Sequence, residues 1–307
     1  HNTDNNQMHP RSSRRYSSRL ASLAANARES SREAAPGSFR GDRHGMIIVT
    51  DSRCTTYQQF GHPERPQRIS LTVERLRAQS EIELVWAEPV PVTEPQLERA
   101  HTRSFLERLK VLADFDSDTA AHPDIRAHAE RSAGGALYAL QRALEGKTAF
   151  SLLRPPGHHA TPDRAMGFCY LNSAAIAAME ARTKGVGRVA VYDFDVHHGN
   201  GTEDILLSQD QCAYFSVHQF PCYPGTGSDS YGNAHNYPVA PGAAREDYRE
   251  ALVRALDDLK RFKPELVVVS AGFDAYCGDP LSDAALQEED FGWLGRSIRE
   301  LGVPAFS

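Results

Sequence analysis

No hydrophobic run in this 307-residue sequence approaches the ~20 residues of a bilayer-spanning helix, which excludes an integral helical membrane protein. Cysteine is scarce. The five (Cys54, Cys169, Cys212, Cys222 and Cys277) are odd in number, scattered and never spaced C-x-x-C. That argues against a disulfide scaffold or a thiolate metal site, and for a reducing compartment. A basic surplus is missing too: 34 Lys and Arg face 40 Asp and Glu, for a net charge of −6. A general nucleic-acid binder, which needs a basic footprint, is therefore not expected. No internal repeat is visible. What the chain does have is 40% hydrophobic residues, enough for a sizeable core, and a length that suits one large domain or two modest ones. It also has 13 histidines, several of them beside aspartates.

Residues 1–45 stand apart, with eight arginines, eight serines, four acids and no lysine. Such a segment cannot bury apolar area and reads as a flexible, solvated tail, which leaves the body near −10. An Arg/Ser-rich, acid-poor leader also fits an organelle transit peptide. The expected location is cytoplasmic, with an organelle as the alternative. From Met46 the pattern becomes an alternation of strands and helices. Apolar runs predict strands over 46–50, 148–153, 188–194, 213–217 and 265–271, with a last one beginning at 303. Helical spacing predicts helices over 68–78, 103–113, 124–145, 173–183, 246–262 and 288–301. Strands buried on both faces and separated by helices describe a parallel α/β sheet. The expected domain is 46–307, read as truncated at its C-terminus because the final strand stops as it begins.

Four polar clusters follow predicted strands. RPPGHHA at 154–160 puts adjacent His158 and His159 on a Pro/Gly-stiffened loop. In VYDFDVHHGNG at 191–201, Asp193, Asp195 and His197 alternate, so an extended chain turns all three to one side. Carboxylates packed there repel unless a cation neutralises them. The strand at 265–271 runs on to Asp274, completing two carboxylates and a histidine, a set suited to a catalytic divalent metal such as zinc. FSVHQFPCYPGTG at 215–227 leads a strand into an aromatic, glycine-rich loop able to wall a narrow channel.

RPPGHHA, GFCYLN, VYDFDVHHGNGT, PGTG and SAGFDAYCGDPL, in that order, resemble the zinc-dependent histone deacetylase superfamily, with acetylpolyamine amidohydrolase and acetoin-utilisation relatives. HPERPQR at 62–68 is similar to its class II and bacterial branches. The likeness covers about residues 46–307 and implies the arginase/deacetylase fold, a three-layer α/β architecture with a single mostly parallel sheet. It implies Asp195, His197 and Asp274 as ligands of one catalytic Zn2+. It further implies His158 and His159 as the catalytic pair, Asp193 as partner of His158, and Asn200 as partner of His159. Phe168 and Tyr223 match the aromatics of an acyl-lysine tunnel with Gly167 at its floor, and Tyr276 and Leu281 match rim positions. A structural K+ site would use Asp193 and Ser216 with carbonyls of Asp195, His197 and Val217.

The implied activity is removal of acetyl groups from acetyl-lysine side chains of a peptide or protein by metal-activated water. Acetylpolyamine hydrolysis is the alternative, although leucine at 281 offers no carboxylate to a polyamine. A binuclear manganese ureohydrolase would need bridging carboxylates that the 193–197 group does not supply. The family's oxyanion tyrosine follows a Gly-Gly pair that does not occur before Ser307. It is expected beyond that residue, and its true absence would suit a catalytically impaired acyl-lysine-binding scaffold. Asp116 and Asp118 are read as an exposed loop, with substrate-backbone binding as the alternative.

Overall fold

The computed structural model describes residues 45–307, position 208 excepted. The segment expected to be a tail lies, but for its last residue, outside the described residues. Eight strands form one sheet: β1 (Met46–Val49), β2 (Leu84–Ala87), β3 (Ala149–Ser151), β4 (Val189–Asp193), β5 (Cys212–Gln219), β6 (Ala234–Val239), β7 (Leu266–Ser270) and β8 (Ala305–Phe306). Their order is β2-β1-β3-β8-β7-β4-β5-β6, and every pairing between neighbours is parallel. The helices are α1 (Gln67–Ala78), α2 (Glu94–Leu97), α3 (Arg103–Arg108), α4 (Ile125–Leu144), α5 (Ser173–Thr183), α6 (Asn200–Leu206), α7 (Arg245–Phe262) and α8 (Glu288–Arg299). None of the described helices is long and apolar enough to cross a membrane.

The period-2 alternation of β4 sorts the layers. Val189 and Val191 pack with Leu137 and Leu140 of α4 and Ile176 of α5. Ala190 and Tyr192 pack with Leu252 and Leu256 of α7 and Leu294 and Ile298 of α8. Burial on both faces explains why the central strands read as continuous apolar runs. In α7 the buried residues Tyr248, Ala251, Leu252, Ala255, Leu256 and Leu259 form one stripe, with Glu246 and Asp247 in the first turn and Lys260 and Arg261 in the last. That charge order suits the helix dipole.

Four elements went unforeseen: edge strands β2 and β6 and short helices α2 and α6. β6 contains Pro238, tolerated because an edge strand leaves one side of its ladder unpaired. The helix expected over 103–113 ends at Arg108, whose guanidinium donates to the carbonyls of Val111 (3.2 Å), Ala113 (2.9 Å) and Asp114 (3.1 Å). The apolar spacing that prolonged the expectation comes from Val111 and Leu112, both exposed.

Because all strands point the same way, the carboxyl ends of β3, β7, β4 and β5 share one edge of the sheet, where such folds place ligands. A buried polar net holds the loop after β3. His101 Nδ1 donates to the Thr161 carbonyl (2.9 Å), while its Nε2 accepts from the Asn172 amide (2.9 Å). Asn172 caps α5 by accepting from Ala175 N–H, and its Nδ2 donates to the Ala160 carbonyl at 3.2 Å. Opposite roles for the two ring nitrogens require a neutral imidazole, and burial lowers His101 from 6.5 to about 4. A histidine depressed in the folded state gives its full stability above about 6.5 and loses it progressively as pH falls toward 4. Between pH 7 and 5, urea unfolding should show about 2 kcal/mol less acid destabilisation in His101→Gln than in the unaltered chain. Equal losses in the two would refute this assignment.

Candidate active site

Asp193 closes β4, and the chain beyond it turns three successive amides onto three carboxylates. Asp195 N–H donates to Asp193 Oδ1 (3.1 Å), Val196 N–H to Asp274 Oδ1 (2.9 Å) and His197 N–H to Asp195 Oδ1 (2.9 Å). One donor atom each from Asp195, His197 and Asp274 lies within 4.8 Å of the others, the one such group among the described residues. His197 Nδ1 sits 3.1 Å from Asp195 Oδ1 and 2.9 Å from Asp274 Oδ2. Burial disfavours charge on His197, yet hydrogen bonds to Asp195 and Asp274 raise it to about 11. Burial and then the Asp195 charge push Asp274 up to about 6. Burial opposes ionisation of Asp195 as well, but His158 and His197 hold it below the usual carboxylate range. Two carboxylates and an imidazole nitrogen converge closely enough to hold a cation between them. The donor set fits a divalent zinc with coordination positions left for water and substrate.

The loop after β3 brings in the histidine pair, with ring centroids 4.0 Å apart. His158 Nδ1 lies 3.2 Å from Asp193 Oδ2, and its Nε2 3.8 Å from Asp195 Oδ1. Burial works against charge on His158, but Asp195 and Asp193 outweigh it and raise it to about 9. His159 Nδ1 lies 2.8 Å from Asn200 Oδ1, and burial followed by the neighbouring His158 charge pushes it well below 6.5. The two rings are thus pushed in opposite directions, His158 toward the charged form and His159 toward the neutral one. Gly199 sits where a Cβ would lie 2.4 Å from both Asp193 Oδ2 and Tyr214 Oη, so only glycine admits these groups. Tyr214 Oη donates to Asp193 Oδ2 (3.1 Å).

Gly167 and Phe168 occupy a four-residue turn closed by reciprocal backbone bonds between Met166 and Cys169 (3.1 and 2.9 Å). Both central residues have positive φ, 55° and 69°. A Cβ at Gly167 would meet the His159 ring at 2.5 Å and the Tyr223 ring at 2.9 Å. The Tyr223 ring stands edge-on to His159 at 5.0 Å. Phe168 N–H donates to buried Thr119 Oγ1 (3.1 Å), and His62 of HPERPQR backs the Phe168 ring at 4.6 Å. Asp116 and Asp118 are exposed, Asp116 Oδ1 accepting from Asp118 N–H (2.9 Å). Leu281 is exposed on the loop after Asp274, which is tied down by Ser282 Oγ donating to the Asp274 carbonyl (2.7 Å). Asp193 and Ser216 are register partners across β4 and β5, and Ser216 Oγ lies 2.8 Å from His218 Nδ1.

A family model described as the histone deacetylase domain matches residues 62–305. The chain belongs to the histone deacetylase family. Among curated relatives, a probable deacetylase of Methanothermobacter thermautotrophicus is 40% identical over 275 residues, covering 84% of this chain and 83% of that protein. A histone deacetylase-like amidohydrolase of Pseudomonas aeruginosa is 37% identical, covering 78% and 68%. The crystal structure of an acetylpolyamine aminohydrolase from Burkholderia pseudomallei superimposes with a TM-score of 0.77 at 29% identity, over 85% of this chain and 92% of that one. The resemblance and the fold class read from the sequence are both borne out.

In this deacetylase-family chain the sequence reading passed over an ion pair. Arg154 and Glu64, both buried, come from the motifs RPPGHHA and HPERPQR, 90 residues apart. The Arg154 Nε–Glu64 Oε1 bond is joined by Nη2–Oε2 at 2.6 Å. Nη1 donates to the carbonyls of Cys54 (2.8 Å) and Tyr57 (3.3 Å), and the guanidinium lies 4.1 Å from the Tyr57 ring centroid. An arginine at a buried strand's exit was the available signal, since it must find a buried acid. The pair anchors the loop of His158 and His159 to the segment that backs Phe168. Arg154→Met, which leaves buried Glu64 only the exposed Arg68 at 3.6 Å, should cost about 3 kcal/mol in denaturant unfolding, and adding Glu64→Leu should recover part of it. A double variant no more stable than Arg154→Met would count against a desolvated pair.

Proposed function

We propose that this chain hydrolyses the amide of an acetylated primary amine, first of all an acetyl-lysine side chain, with Zn2+ held by Asp195, His197 and Asp274. The observation that carries the reading is the convergence of those three donors beside a histidine pair of which one ring faces the Asp193 carboxylate and the other the Asn200 amide. Zinc bound there polarises an acetyl carbonyl and acidifies a water.

The chain's own residues supply the rest. His159, neutral and protonated on Nδ1 toward Asn200, keeps Nε2 as the lone-pair nitrogen. It takes the attacking water's proton and returns it to the departing nitrogen, so that the C–N bond breaks, a C–O bond forms and acetate and free amine leave. His158, beside Asp195 and Asp193, stabilises developing negative charge and leaves His159 neutral until it accepts the water's proton. Phe168 and Tyr223, with Gly167 beneath, pass a linear alkyl chain and exclude bulk water. Asp193, Ser216 and the carbonyls of Asp195, His197 and Val217 would hold a structural K+. The exposed leucine at 281, which offers no anion to a polyamine, favours acetyl-lysine over acetylpolyamine.

The test is metal content and turnover of the full-length protein on an acetyl-lysine peptide and on an acetylpolyamine. One zinc per chain is expected, with peptide turnover lowered about 10²–10⁴-fold by His159→Ala at unchanged zinc content. Turnover confined to acetylpolyamine would shift the substrate assignment. Zinc binding without turnover of either would favour an acyl-lysine-binding role, and a metal-free protein would sink the proposal.

A further inference from the structure

We propose that Met166 is a positioning residue that sets the proton on His159 by fixing which way the Asn200 carboxamide faces. The inference rests on the reading of His159 as proton acceptor, and it arises from asparagine standing where a carboxylate would have no such ambiguity. Both oxygens of an aspartate accept, so either orientation leaves a proton on His159 Nδ1. An asparagine presents an oxygen on one side and an NH2 on the other. With Oδ1 toward His159, Nδ1 carries the proton and Nε2 is a base. With the amide reversed, the NH2 donates to Nδ1, the proton moves to Nε2, and the ring cannot accept one there.

Asn200 Oδ1 lies 2.8 Å from His159 Nδ1, and on its other side Nδ2 donates to Met166 Sδ at 3.5 Å. A thioether sulfur accepts and never donates, so it tolerates the NH2 and disfavours the carbonyl oxygen in its place. The sulfur is itself held in position. Met166 is bonded through both its N–H and its carbonyl to Cys169 across the turn whose Gly167 packs on His159. Met166 also lies half-buried, so bulk water does not freely replace it as the acceptor. One short segment thus supplies the tunnel floor and the acceptor that orients the base.

The test is a double-mutant cycle in the zinc-loaded full-length protein, with Met166→Leu and Asn200→Asp made singly and together. Met166→Leu keeps the volume and removes the acceptor. In the Asn200 protein it should lower kcat about three- to tenfold with KM within about twofold. In the Asn200→Asp protein, where orientation no longer matters, the same change should move kcat by less than about twofold. Equal losses in both backgrounds, a loss confined to KM, or no loss beside Asn200 would each overturn the proposal. Should Met166→Leu reduce the folded fraction, Met166→Ile completes the same cycle and is read in the same way. An unaltered zinc-loaded protein without turnover would remove the proposed function and this inference with it, whereas an active one without the coupling would remove only the inference.

Discussion

Three carboxylates, Asp193, Asp195 and Asp274, gather at one edge of the sheet, the first fully buried and the other two largely so, and the rest of the site answers that repulsion. Its first answer is the backbone. Consecutive amides at 195, 196 and 197 each donate to a different one of the three acids, a geometry available only because the chain leaves β4 in that turn. The second is two imidazoles: His197 between Asp195 and Asp274, and His158 between Asp193 and Asp195. A divalent cation among the same donors meets the same electrostatic need more completely. The negative field that makes the site expensive to fold is therefore also one that a divalent cation would fit.

The same field sorts the histidine pair. His158 is driven up by the carboxylates it touches in spite of its burial, whereas burial, and then the neighbouring His158 charge, drives His159 down. Two adjacent residues of one type are thereby pushed in opposite directions by their surroundings. Neither could hold its place without the supports beneath. Arg154–Glu64 pins the start of their loop, and His101 with Asn172 pins its end. These supports are buried polar groups with defined partners, costly to form and costly to disturb, so the loop is rigid where function needs it.

What could be read from the sequence follows from this physics. Strand cores were legible because burial on both faces makes them uniformly apolar, and the acids interrupting them at 193, 195 and 274 stood out for that reason. The edge strands β2 and β6 were not, since Val85 is exposed on one and Asn236 and Pro238 interrupt the other. Helix α3 was overextended because Val111 and Leu112 keep the helical period while facing solvent. The recurring motifs identified the histidine pair and its partner Asn200, yet not the contacts between motifs. Glu64 and Arg154 meet only after the chain has wound between them, and no local pattern encodes that meeting. Met166 was invisible for another reason: a methionine next to glycine looks like packing until its sulfur is seen to face an amide.

The turn at 166–169 concentrates these demands. Phe168 adopts a left-handed conformation that costs a non-glycine residue about 1–3 kcal/mol. Two reciprocal backbone bonds and the Thr119 hydroxyl hold it there. A relaxed, extended Phe168 would open the turn, and opening it would withdraw Gly167 from His159 and Met166 from Asn200 together. The strain is therefore tied to the positions of Gly167, the Phe168 ring and the Asn200 amide beside His159. A substitution that relieved it would gain stability locally and lose the packing of Gly167 on His159 and of Met166 on Asn200.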